Sequence, residues 1–170
     1  MPTQPEIWLR GPLPGIPALL QPVGHALLQA RAELYDALAD FPDELLAARP
    51  AGVASVGFHL RHLAGVLDRM QTYAQAQPLS AAQLAYLAAE AAGPQATTEL
   101  MATFGQAVEA MLTTLRTTSE SSLPEFRAVG RAGLPSTVIG LLVHAAEHTT
   151  RHVGQVLVTA RVARAAAHSA

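Results

Sequence analysis

Apolar residues recur at three- and four-residue intervals over four long stretches of this chain, and prolines and glycines separate the stretches. In the first, Leu27, Leu28, Leu34, Ala37 and Leu38 fit helical spacing better than alternation. The pattern predicts a helix beginning near Ala18 or Gln21 and running to about Ala39. Pro22 is tolerable only in a first turn, where its missing N–H would have had no partner, which supports a start close to it. The segment from Phe41-Pro42-Asp43 to Pro50-Ala51-Gly52 holds a short helical piece bounded by prolines, and a second long helix is predicted from about Ser55 to Gln75. Ser80 is placed to cap a short helix reaching Ala92, with Gly93-Pro94 as its stop. A third long helix fits Thr97 to Thr118, with Leu100, Phe104, Val108, Met111, Leu112 and Leu115 on one stripe. Residues 119–135 read as a loop holding Gly130 and Gly133, and Pro135 suits the first turn of a fourth long helix continuing to about Ala165.

No stretch alternates convincingly, so no strand is expected. Four long helices joined by loops of unequal length indicate an all-α fold, a four-helix bundle. Two additions complete the plan: an irregular Pro-rich N-terminal arm over residues 1–17, and the short extra helix between helices two and three. A frayed tail is expected over residues 166–170, including His168. The chain of 170 residues needs only one domain, residues 1–170, and shows no internal repeat.

Composition narrows the function. Half the residues are hydrophobic and 14% are charged, against about 25% charged in an average soluble protein. Alanine and small polar residues make up the difference, and they suit closely packed helices. A net charge of −2 offers nothing to attract a polyanion, so no nucleic-acid partner is expected. No apolar run approaches the roughly 18–20 residues of a membrane span, and the start MPTQPEIWLR lacks the pattern of a secretory signal. The expected location is cytoplasmic. With no cysteine, disulfides, thiolate ligands and a thiol nucleophile are excluded.

The histidines change the picture most. Five of the seven fall into two clusters: His59 and His62 on the second long helix, and His144, His148 and His152 on the fourth. At about 100° per residue, a four-residue step advances a side chain by only about 40°. His144, His148, His152 and Gln155 therefore share one narrow face, while Ser55, His59, His62, Val66, Met70 and Tyr73 share another. The apolar members of the second face turn it toward the bundle interior. Histidines at i and i+4 can reach one ion together, and a third from a facing helix would fix it at three points with a position left open. Nitrogen donors suit zinc or nickel first, with iron, copper or manganese as alternatives, and spacing does not choose among them. Burying several imidazoles without an ion would demand many hydrogen-bond partners.

His144-Ala145-Ala146-Glu147-His148 also matches the H-x-x-E-H form of inverted zinc peptidases. Those enzymes need a further acidic ligand downstream, and no Asp or Glu follows Glu147. Arg127 and Arg131 read as solvated loop residues, and Trp8 and Arg10 as packing or capping residues at one end of the bundle.

The run His148-Thr149-Thr150-Arg151-His152-Val153-Gly154-Gln155 resembles the H-x-x-x-H-x-G-Q signature of the DinB/YfiT-like family. Phe58-His59-Leu60-Arg61-His62-Leu63 is similar to its partner motif, and the helix plan extends the resemblance over nearly the whole chain. The resemblance implies a four-helix bundle in which His62, His148 and His152 hold one divalent metal ion, often in a homodimer. It leaves His59 and His144, each one turn before a ligand, as outer contacts, substrate contacts or alternative ligands. Gln155 would orient a ligand imidazole or a metal-bound water. The implied activity is that of a thiol S-transferase using a small-molecule substrate and a low-molecular-weight thiol such as bacillithiol, or of a related hydrolase. No catalytic residue is assigned. The alternatives are a non-catalytic stress-response or metal-binding module and a purely structural dimeric bundle.

Overall fold

Residues 4–91 and 95–168 are described by a computed structural model of the chain. Its elements follow the apolar stripes. Helix α1 (Gln21–Leu38) carries Pro22 in its first turn and buries Leu27, Leu34 and Leu38. Helix α2 (Val56–Ala74) starts where Ser55 Oγ accepts from the backbone N–H of Phe58 at 3.2 Å, an N-cap that satisfies one otherwise unpaired donor. Helix α3 (Ala81–Ala89) is short and begins with a reciprocal capping box between Ser80 and Gln83. It ends at Ala89, short of the expected Ala92; Ala92 and the Gly93-Pro94 stop lie outside the described residues. Helix α4 (Thr97–Thr117) turns the stripe from Leu100 to Leu115 inward, and helix α5 (Val138–His168) completes the set.

The four long helices pack in pairs: α2 lies against α4 and α5, and α1 against the same two. Leu60, Leu63 and Leu67 of α2 meet Phe104 and Met111 of α4 and Leu142 of α5 in one continuous core. Helix α3 buries none of its own residues. Side-chain hydrogen bonds hold it on α2 instead: Gln83 Nε2 donates to Asp68 Oδ2 at 2.9 Å and Thr72 Oγ1 at 2.6 Å, and Tyr86 Oη to Arg61 O at 3.2 Å. No helix among the described residues is long and apolar enough to cross a membrane.

Three expectations need correction. The segment before the last helix is not all loop: β1 (Phe126–Val129) and β2 (Leu134–Thr137) form an antiparallel hairpin, with Phe126 opposite Thr137 and Val129 opposite Leu134. Gly130 and Gly133, at φ +68° and +61°, supply the left-handed backbone of its turn. Pro135 lies in β2 and does not open the helix; a two-stranded ribbon tolerates its missing N–H. Helix α5 begins at Val138, where Thr137 Oγ1 accepts from the N–H of Gly140 at 3.1 Å. Of the tail expected to fray, residues 166–168 continue α5, and 169–170 lie outside the described residues.

In the arm, residues 1–3 likewise lie outside the described residues, and short 3-10 turns form at Ile7–Arg10 and Ala18–Leu20. Gln21 ties the arm down, donating from Nε2 to Leu13 O and Ile16 O and accepting at Oε1 from Leu13 N. His25 belongs to this end, its Nε2 3.1 Å from Gly11 O. Trp8 stays exposed, its indole N–H bonded to Glu6.

Candidate metal centre

Where α2 crosses α5, three imidazoles meet. The ring centroids of His62 and His148 are 5.2 Å apart, those of His62 and His152 4.7 Å, and those of His148 and His152 4.4 Å. One nitrogen from each lies within 4.8 Å of the others. Around a tetrahedral ion with bonds of about 2.0–2.1 Å, ligand nitrogens sit about 3.3 Å apart. His62 Nε2 and His148 Nε2, now 2.9 Å apart, would need to open only slightly.

The other two clustered histidines attach to corners of this triangle. His59 is buried, and its Nδ1 is 2.8 Å from Nδ1 of His152. It touches His152 but is not one of the three grouped donors. His144 is exposed, its ring 5.3 Å from that of His148 and its Nδ1 3.4 Å from Glu147 Oε2. Glu147 also pairs with Arg151 on the outer surface of α5, which leaves it engaged away from the triangle. Gln155 is exposed, and no hydrogen bond among the described residues joins it to the cluster. Phe58 stacks on His62, with centroids 5.4 Å apart and planes 11° from parallel.

Electrostatics favour the neutral state a cation requires in His152, His148 and His59. Burial, followed by the neighbouring His148, His62 and His59, pushes the pKa of His152 down to about 4. Burial and His62 also lower His148 and His59. A neutral imidazole offers its lone pair, whereas a protonated one repels a cation. The donor set therefore fits a divalent ion of the borderline class, with nitrogen ligands only and no thiolate.

Behind His62 stands Glu90, just past the end of α3 and 4% exposed. Its Oε2 is 2.6 Å from His62 Nδ1, and its Oε1 accepts from Arg69 Nη1 at 2.7 Å. Burial would raise the pKa of this carboxyl, but the hydrogen bonds and charges of His62 and Arg69 prevail and hold it below the ordinary value. Helical periodicity does not find this group, because Glu90 lies just past the end of the short helix α3 and not on the helix that carries His62. One signal was present: Glu90 is the only acidic residue between Asp68 and Glu99, and Arg69 the only lysine or arginine between Arg61 and Arg116.

Arg127 is spoken for structurally, donating from Nε to Ala74 O at 2.7 Å and from Nη2 to Glu125 Oε2 at 2.9 Å. It pins the hairpin to the end of α2.

Residues 26–156 match the DinB superfamily. No curated protein matches the chain in sequence. A crystal structure described as the conserved protein of locus from Enterococcus faecalis is similar in fold, with a TM-score of 0.72 and 19% identity, covering 86% of this chain and 98% of that one.

Proposed function

We propose, from the premise that this chain belongs to the DinB superfamily, that it is a divalent-metal-dependent enzyme, a thiol S-transferase or a related hydrolase. The observation that carries this reading is the count and exposure of donors. Among the described residues, three side chains bring ligand nitrogens within mutual reach, and all three are partly exposed. Three protein ligands with access from solvent are the economy of a catalytic site; a structural site is closed by four.

A bound ion of this kind acts as a Lewis acid, lowering the pKa of a coordinated water or thiol toward neutrality. The chain's own residues do the rest. His62, His148 and His152 would hold the ion, and His59 steadies the ring of His152 through its Nδ1 contact. Phe58 covers one face of His62. His144 stands at the exposed edge beside His148, with its Nδ1 toward Glu147. A transferred thiol must come from a cosubstrate, since the chain has no cysteine. Zinc or nickel is the ion we favour, and a homodimer the assembly, which light scattering at micromolar concentration tests.

The decisive assay combines zinc- or nickel-loaded protein with a bacillithiol-like thiol and an electrophile. Turnover should vanish with a chelator and in His152→Ala. Metal-loaded protein without turnover rejects the enzymatic reading, and turnover untouched by His152→Ala rejects the three-histidine site as its centre.

A further inference from the structure

The placement of Glu90 poses a question that stability does not answer. A buried ion pair gains little net free energy, because desolvation offsets most of the attraction, and apolar replacements are often as stable. Helix α3 is already fastened to α2 by Gln83 and Tyr86. Arg69 alone could have taken both carboxylate oxygens in a fork. Instead the carboxylate is divided, one oxygen to Arg69 and the other to His62.

The division has a chemical consequence. An ionised carboxylate only accepts hydrogen bonds, so the proton in the contact sits on His62 Nδ1. His62 Nε2 is then the lone-pair nitrogen, and Nε2 is the atom 2.9 Å from His148 Nε2. The backbone of α2 is shaped for this approach. A Cβ on Gly65 would lie 2.6 Å from both Arg69 Nη1 and Glu90 Oε1, and 2.9 Å from Tyr86 Cε1. Gly65 is three residues beyond His62, on the same side of the helix.

We propose that Glu90, delivered by α3 and braced by Arg69, is a positioning residue of the metal centre. It fixes His62 in the Nδ1–H tautomer and aims Nε2 at the ion, and Gly65 is the gap that admits it. The inference rests on the metal-centre reading above. Outer hydrogen-bond partners of ligand histidines set ring orientation and basicity, and their loss costs about 10–100-fold in metal affinity. Because linkage is reciprocal, an ion at the histidines also tightens the docking of α3.

The test is zinc affinity of the full chain by chelator competition in the wild type, Glu90→Ala, Glu90→Gln and Gly65→Ala. Glu90→Ala and Gly65→Ala should each weaken zinc by about 10–100-fold. Glu90→Gln keeps an acceptor for the Nδ1 proton and should lose less. An ion pair that merely anchors α3 would instead lower the melting temperature of Glu90→Ala and leave the zinc affinity of the folded protein unchanged; that result overturns the proposal. Should Glu90→Ala fail to fold, long-range 15N spectra of zinc-loaded wild type decide. They should show His62 protonated at Nδ1 and ligated through Nε2, and ligation through Nδ1 refutes the assignment. Wild-type protein that binds no zinc defeats the metal-centre reading and this inference together. One bound zinc with wild-type affinity in folded Glu90→Ala defeats only the latter.

Discussion

His152 couples the site to pH. Its pKa is lowered from the ordinary 6.5 to about 4, first by burial and then by its histidine neighbours. The unfolded chain therefore binds this proton at a higher pH than the fold does. The sign follows: stability is full above 6.5 and is lost as pH falls through 6.5 toward 4. His148 and His59, lowered by the same causes, add in the same direction. Thermal melts of metal-free protein should therefore decline across that window, and His152→Ala should flatten part of the decline. A profile independent of pH over the window would mean that the rings are solvated in the fold. At this scale the sequence was readable only along single helices. It marked His148 and His152 as one face, but His59 and His62, three residues apart, gave spacing no reason to prefer either. The fold places them differently: His62 Nε2 meets His148 Nε2, and His59 Nδ1 meets His152 Nδ1. Glu90 was out of reach, since it lies 28 residues from the histidine it contacts.

Each long helix owes its place to one apolar stripe, so large truncations there should be felt throughout the fold. Phe104 is fully buried on α4, and Phe104→Ala should cost about 3–5 kcal/mol from lost transfer energy and the cavity left behind. Denaturant unfolding measures this directly. Helix α3 should respond differently. It has no buried stripe, so its start depends on the box formed by Ser80 and Gln83. Ser80→Ala should cost about 1 kcal/mol, read as faster amide exchange in residues 81–89 with little change in the long helices. Uniform loss of protection would show that α3 unfolds only with the whole. The same contrast explains what the pattern of apolar positions revealed. Stripes spanning five turns identify α4 as Thr97–Thr117 almost to the residue. Strands of four residues, one beginning Leu134-Pro135, hold too few alternations to register, and the hairpin is set by its two left-handed glycines and by Arg127. Pro135 suited a helix start by local rules alone, and pairing with β1 overrode that preference.

For the whole molecule, the histidine triangle is a long-range tie. His62 and His148 are 86 residues apart in sequence and belong to helices that meet along one core seam. An ion that needs both can bind only the folded arrangement, so its binding free energy adds to that of folding by mass action. At a free concentration one hundred times the dissociation constant, the gain is about 2.7 kcal/mol. For a chain of this size each kcal/mol moves the melting temperature by about 2–4 °C, so zinc or nickel should raise it by about 5–11 °C. A chelator should reverse the shift, and His148→Ala should abolish it while retaining the helical spectrum. A site assembled from α5 alone would behave otherwise. His148 and His152 are one turn apart and could hold an ion weakly in a partly unfolded chain, which would shrink the shift and leave it intact in His62→Ala. The size of the shift in His62→Ala therefore measures whether two helices or one make the centre, independently of any catalytic assay.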